Sequence, residues 1–240
     1  MNTKNKIATD SFSLSQIFYQ SKGIFIGLTI ICLWFLNVSF AISWHLDWFS
    51  PITYLLFFVQ IHLFTGLFIT AHDAMHGTVS QNPTINKAIG QFCTFLYAFF
   101  PYDSLHEKHH KHHRHVATAE DPDYADAPFL KWYFSFVTNY ITIFQFLGYA
   151  ISFNILKLFL PTENLIFYWI IPAILSTLQL FYFGTYLPHR GEHEEENIHK
   201  SRSQNKNHIW AFVSCYFFGY HYEHHDKPYL PWWELYKYKE

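Results

Sequence analysis

The sequence predicts an all-α integral-membrane protein with four transmembrane helices, an additional interfacial or re-entrant helix, and a histidine-rich cap on the cytoplasmic side. Three observations predict it. Half of the 240 residues are hydrophobic, 22% are aromatic and only 14% are charged, a balance suited to a chain solvated by lipid. Apolar runs recur at close to the roughly 20 residues that a helix needs to cross hydrocarbon. Seventeen histidines, fifteen of them between His72 and His225, far exceed what packing requires.

Taken in order, polar residues run from Met1 to Lys22 without a short apolar region and small-residue cleavage site, so the first apolar segment is expected to be retained. One domain covers 1–240, with spans near 24–46, 52–71, 131–156 and 165–187. The first is interrupted only by Asn37 and a few Ser and Thr residues, and a turn from Asp47 to Pro51 leads into the second. The apolar stretch from Ile85 to Phe100 is 16 residues long and carries Lys87 near its start, which fits an interfacial or re-entrant helix better than a crossing. Pro161, Glu163 and Asn164 separate the third span from the fourth. A charged stretch from His189 to His208 precedes a short apolar piece, Ile209 to Gly219, and Trp232, Trp233, Tyr236 and Tyr238 near the C-terminus read as interfacial anchors.

Four crossings put the N-terminus, the region from His72 to Arg114 and everything after Leu187 on one side. Lys4, Lys6, Lys22, Lys87, Lys108, Lys111, Arg114, Arg190, Lys200, Arg202 and Lys206 fall there, so by the positive-inside rule that side is cytoplasmic. A net charge of −2 provides no field that would recruit nucleic acid. Cys32, Cys93 and Cys215 sit in apolar stretches without CxxC spacing and read as free thiols in a reducing compartment.

The histidines are patterned. His72 and His76 are four residues apart, which on a helix leaving the membrane points both imidazoles the same way. Six of the ten residues from His106 to His115 are histidine. Within them His109, His112 and His113 have i, i+3, i+4 spacing on one helical face, and the register His106, His109, His110 has the same spacing. His221, His224 and His225 repeat the pattern. Each cluster adjoins a membrane edge, and together they supply eight nitrogen ligands, a number that suits two metal ions. His189, directly after the fourth span, is a ninth candidate. Imidazole alone does not choose among zinc, copper, iron and nickel. Asp73, Glu107, Asp121, Asp123 and Glu223 lie beside these histidines and are candidates to accept the distal N–H bonds that fix imidazole tautomers.

Two other readings compete. His106, Glu107 and His110 spell the HExxH pattern of zinc peptidases, which would leave the clusters at His72 and His221 without a purpose. A metal transporter would place its ligands near mid-membrane, whereas only His45 and His62 lie near or within a span and neither belongs to a cluster.

The boxes HxxxH, HxxHH and HxxHH at the ends of spans resemble those of the membrane fatty-acid desaturase and hydroxylase superfamily. Within it, HDAMHG at His72, LYAFFPYDSLHEKHHKHH leading into AEDPDY at Asp121, LQLFYFGTYLPHR ending at Arg190, and FFGYHYEHHDKPYLPWWEL from Phe217 look like the β-carotene ketolase family. The resemblance covers nearly everything from His72 to the C-terminus. Counted back from Asp121 and Asp123, it puts the second box on His109, His112 and His113 and leaves His106 and His110 as departures.

The resemblance implies two iron ions (Fe2+) in the cytoplasmic cap, O2 as co-substrate and a carotenoid as substrate. It also implies oxidation of the C4 methylene of the β-ionone ring, performed twice to give a gem-diol that loses water to a ketone, so that β-carotene yields echinenone and canthaxanthin. A carotenoid 3-hydroxylase or an acyl-lipid desaturase would share every ligand. The chain has no nucleotide-binding glycine pattern, so electrons are expected from a separate, ferredoxin-type donor. A rigid polyene needs an apolar slot, and Phe64, Phe68, Phe95, Phe99, Phe100, Phe181, Tyr182 and Phe183 lie near the expected metal face.

Overall fold

The computed structural model describes residues 14–240, with side chains from Ser21 onward. Most of the polar segment from Met1 to Lys22, including Lys4 and Lys6, therefore lies outside the described residues. Among these the chain is helical, with no strand.

Helix α1 spans Leu14–Ser43, beginning inside the segment expected to be only polar, and its portion Ser21–Ser43 is long and apolar enough to cross a membrane. Helix α2, Pro51–Met75, starts on a proline whose fixed φ suits the first helical turn and runs for 25 residues, about 37 Å at 1.5 Å per residue. Helix α3, Pro83–Ala98, is capped by Asn82, whose side chain accepts from the Thr84 and Ile85 amides, and it ends on Phe99 in the left-handed region. Its 16 residues reach about 24 Å, short of a hydrocarbon core of about 30 Å. Helix α4, Tyr102–Arg114, is polar and carries the densest histidine cluster.

The apolar stretch expected to cross near 131–156 is helical but broken. Helix α5, Phe129–Tyr140, and helix α6, Ile143–Leu156, are bent by 84° to each other. The cause is a capping box. The Thr142 side chain takes the amide at Gln145 while the Gln145 side chain accepts from the Thr142 amide, so a new helix starts there. At 12 and 14 residues neither half spans alone.

Helix α7, Thr162–His189, is the third helix long and apolar enough to cross. It contains two π turns, Ile166–Ile170 and Tyr182–Tyr186, each ending two residues before a proline, Pro172 and Pro188. Proline has no N–H to donate and crowds the carbonyl four residues back, a strain that a widened turn relieves. Short helices α8, His208–Cys215, α9, His221–Asp226, and α10, Trp232–Leu235, complete the chain.

Ile30 and Trp34 of α1, Phe64 and Leu67 of α2, Cys93 of α3 and Trp169 of α7 pack into one core. Polar side chains knit the long helices. Asn37 donates to the Gln60 side chain at 2.7 Å, Thr65 to the Gln179 side chain at 2.6 Å, and Asn164 to the Trp44 carbonyl at 2.7 Å. Such bonds contribute about 0.6 kcal/mol each in lipid, so they set register more than stability. Outward-facing Phe25, Leu36, Leu55, Phe58 and Ile174 are exposed, as on a surface made to face lipid chains. The ends of α2 and α7 meet α4 and α9 at one end of the bundle, and the histidines gather there.

Candidate metal centre

Nine imidazoles converge in two groups. The first is His72, His76, His109, His113 and His224, and the second is His112, His189, His221 and His225. Within each, one nitrogen per residue lies within 4.8 Å of all the others. The i, i+3, i+4 triplets do not each serve one group. Helix α4 gives His109 and His113 to the first and His112 to the second, while α9 gives His224 to the first and His221 and His225 to the second. The stacked rings of His113 and His225, with centroids 4.2 Å apart, join the two.

Donor spacing matches a metal. Nε2 atoms face one another at 2.6 Å for His76 and His109, 3.1 Å for His72 and His224, 3.1 Å for His113 and His224, 3.1 Å for His112 and His225, and 3.0 Å for His221 and His225. Imidazoles bonded to one ion at about 2.1 Å hold their nitrogens about 3 Å apart. Ring nitrogens this close either share a proton or, where both carry lone pairs as in the ligating tautomers, repel unless a cation sits among them. The His189 Nδ1–H donates to the Lys200 carbonyl at 2.8 Å, while its Nε2 is buried without a partner, its ring 4.9 Å from that of His221. That tautomer leaves a lone pair free to bind a metal.

The carboxylates divide. Asp121 accepts the His112 Nδ1–H at 2.9 and 3.0 Å to its two oxygens, and is itself oriented by the Ala117 and Asp123 amides at 2.9 and 2.8 Å. Asp123 is hydrogen-bonded by the Tyr140 hydroxyl and stands 3.9 Å from His112 Nδ1. Asp73 is 3.4 Å from His72 Nδ1 and also accepts the Trp232 amide at 2.9 Å. Glu223 is bound by the Ser203 hydroxyl and by Lys239 at 3.1 Å, so among the described residues its hydrogen-bond partners are these rather than an imidazole.

Burial, reinforced by neighbouring imidazoles, holds His109, His221, His224 and His225 well below the usual imidazole range, and neutral imidazole is the ligating form. Burial acts the same way on His112, but the carboxylates of Asp123 and Asp121 outweigh it and raise its pKa. Burial, together with the charge of Asp121, pushes Asp123 up to about 6.

His106, His110 and His115 stand outside both groups. His110 donates from Nε2 to the Met75 carbonyl at 3.0 Å, the His106 ring lies against it at 4.4 Å, and His115 is 3.7 Å from Glu120. Glu107 is exposed. The HExxH stretch thus turns one of its two imidazoles onto backbone.

A cavity of about 460 Å³ opens beside the centre. His72, His109, His112 and His221 line one end, and Phe68, Tyr97, Phe136, Phe146 and Tyr149 are among the residues along it. Phe68 and Phe100 of the anticipated aromatic set line it. Phe181 is fully buried among other aromatics, and Phe95 faces outward. Tyr140, the Lys200 carbonyl and the Trp232 amide were invisible to residue counting, since each reaches the centre only through tertiary contacts. Thr142 and Gln145, by contrast, carry a readable capping-box signal that breaks the third span.

Such a helical frame with histidine groups at one end of its long helices defines a class, and the chain belongs to the fatty acid desaturase family, whose model matches residues 43–162 and 126–240. With its apolar helices, this makes it a membrane protein. Within that family it is similar to carotenoid ketolases. Zeaxanthin 4-ketolase of Chlamydomonas reinhardtii is 36% identical over 236 residues, covering 89% of this chain and 52% of the relative. Beta-carotene 4-ketolase 3 of Haematococcus lacustris is 35% identical over 250 residues, 90% of this chain and 78% of the relative. Beta-carotene ketolase of Paracoccus sp. (strain PC1) is 38% identical over 177 residues, 72% of this chain and 73% of the relative. The chain thus spans about half the length of the Chlamydomonas protein and most of the other two. No solved structure matches it.

Proposed function

We propose that this chain is a β-carotene 4-ketolase that converts the C4 methylene of carotenoid β-ionone rings to a ketone, taking β-carotene through echinenone to canthaxanthin. The observation that carries the reading is the placement of two imidazole groups at the end of an apolar cavity. We assign all nine histidines as ligands of two irons, five to one and four to the other. Bound iron supplies the reduction of O2 and the removal of hydrogen from carbon.

The protein's own residues do the rest. The aromatic wall from Phe68 to Tyr149 takes up an apolar ring and part of its polyene and keeps water away from the reacting carbon. Asp121 and the Lys200 carbonyl hold the Nδ1 protons of His112 and His189, so that both present Nε2 to the metal. Lys22, Lys87, Lys108, Lys111, Arg114, Arg190, Lys200, Arg202 and Lys206 put the metal end, and with it both termini, on the cytoplasmic side, with α5 and α6 together as the fourth passage through lipid. Electrons come from an external, ferredoxin-type donor.

Expression in cells that accumulate β-carotene, with iron measured in the purified protein, tests this. Ketone products with about two irons per chain are expected. Hydroxylated rings would favour a 3-hydroxylase, and unchanged pigment with altered acyl chains a desaturase.

A further inference from the structure

Phe218 stands where three features meet. Helix α8 is followed by Tyr216 and Phe217, consecutive residues with φ of 48° and 61°, a conformation that bulky side chains adopt only where the surroundings dictate it. Tyr216 is held by stacking on His62, with centroids 4.2 Å apart, and Phe217 lies beside Trp232 at 6.2 Å. This turn aims Phe218 back at the metal centre. Its ring is edge-on to His72 at 4.8 Å and to His221 at 5.0 Å, and lies 5.8 Å from His224. His72 and His224 belong to one group and His221 to the other, so the ring covers the seam between them while also lining the cavity.

Behind it is Gly184, in the second π turn of α7. A Cβ there would stand 2.2 Å from Phe218 Cε1, so glycine alone lets the ring settle against the helix. The π turn, the glycine and the strained corner fix one ring between the cavity and both sets of ligands.

The geometry points to Phe218, seated on Gly184, as the positioning residue that decides which carbon of the substrate ring faces the metals. The inference rests on the ketolase reading and deepens it. C3 and C4 of a β-ionone ring are one bond apart, so a stop at the end of the cavity selects between them by depth of insertion. The chemistry balances alike at either carbon: one oxygen atom of O2 enters a C–H bond, and the other leaves as water with two electrons from the donor and two protons. A ketone at C4 takes a second such turnover at the same carbon, with its own O2, two electrons and two protons, and loss of water from the gem-diol, so the carbon held at the metals decides which of the two product series begins.

Phe218→Leu, Phe218→Met, Gly184→Ala and the double variant Gly184→Ala/Phe218→Leu, in the full chain and in β-carotene-accumulating cells, test it. The readouts are product identity, bound iron and thermal unfolding. Both Phe218 variants are expected to raise the ratio of 3-hydroxylated to 4-keto product by at least about tenfold with iron unchanged, the scale on which a methylene-sized change in a pocket discriminates. Gly184→Ala is expected to lower ketone formation, and Phe218→Leu to restore turnover in its background. An unchanged product ratio in both Phe218 variants overturns the inference, whether iron is retained or lost, because a merely structural role would cost iron without moving the ratio. A wild type that makes no ketone sinks the ketolase reading and this inference together, whereas ketone with an unmoved ratio sinks this one alone.

Discussion

The two histidine groups draw on overlapping helices yet are held differently. All four imidazoles of the second are buried, and two have their Nδ1 protons assigned to acceptors, Asp121 and the Lys200 carbonyl. Three of the five in the first are partly exposed, and the carboxylate nearest to His72 is 3.4 Å away and shared with the Trp232 amide. A tied imidazole presents its lone pair without further ordering, whereas a loosely held one must be ordered by the metal itself. The first group therefore depends on ligand number and the second on ligand orientation.

Removing a ligand is the most severe way to test that contrast. His112→Ala leaves the second group with three imidazoles, and bound iron is expected to fall toward one per chain with activity down more than about 100-fold, beyond the cost of losing an outer partner. His76→Ala leaves four in the first, and should retain more iron. Equal iron loss in the two variants would abolish the distinction. Next in size is Asp121→Ala, expected to weaken metal binding about 10–100-fold by freeing the His112 ring, whereas Asp73→Ala should cost less because its bond to His72 is already long. Competitive chelator titrations compare the two directly.

The contrast also marks what residue spacing can and cannot convey. Helical periodicity brings His72 beside His76 and gathers the α4 and α9 histidines, so the membership of the centre was legible as a set. Its division was not. His112 and His113 are neighbours in sequence but belong to different groups, and which group each joins depends on the histidines that other helices bring beside it. The long runs of α1, α2 and α7 announce themselves through hydropathy, whereas the bend between α5 and α6 leaves the apolar run unbroken and is written only in the capping box of Thr142 and Gln145. Adjacency to a histidine says nothing about where a carboxylate turns, and Glu223 meets Ser203 and Lys239 through tertiary packing.

A smaller effect separates the groups by pH. In metal-stripped protein, His109, His221, His224 and His225 titrate below the usual imidazole value of about 6.5, so below that pH the unfolded chain binds protons that the folded one refuses. Stability should thus rise with pH up to about 6.5 and level off above it, by at most about 1.4 kcal/mol per pH unit for each such residue. His112 works in the opposite sense. Its raised pKa adds stability that is fully present below about 6.5 and lost as pH rises through the folded value, so its window lies above that of the others. Melting temperatures of chelator-treated protein from pH 7 to pH 5 should fall with acidification. A flat or rising trend would show that the groups are not buried and neutral as described.

The smallest effect is expected outside both groups. Glu107 is exposed on α4, next to His106 and one turn before His110, whose rings pack against each other and, through His110, onto the Met75 carbonyl. Glu107→Gln removes a charge from solvent without touching a ligand or an acceptor of a ligand proton, and surface changes of that kind usually stay within about 0.5 kcal/mol. Bound iron should be unchanged and ketone yield within about twofold of wild type. If Glu107→Gln instead abolished activity while iron stayed at two per chain, the carboxylate would be acting on the substrate. The HExxH stretch of α4, rather than the paired imidazole groups, would then have to be regarded as the reactive part of the molecule.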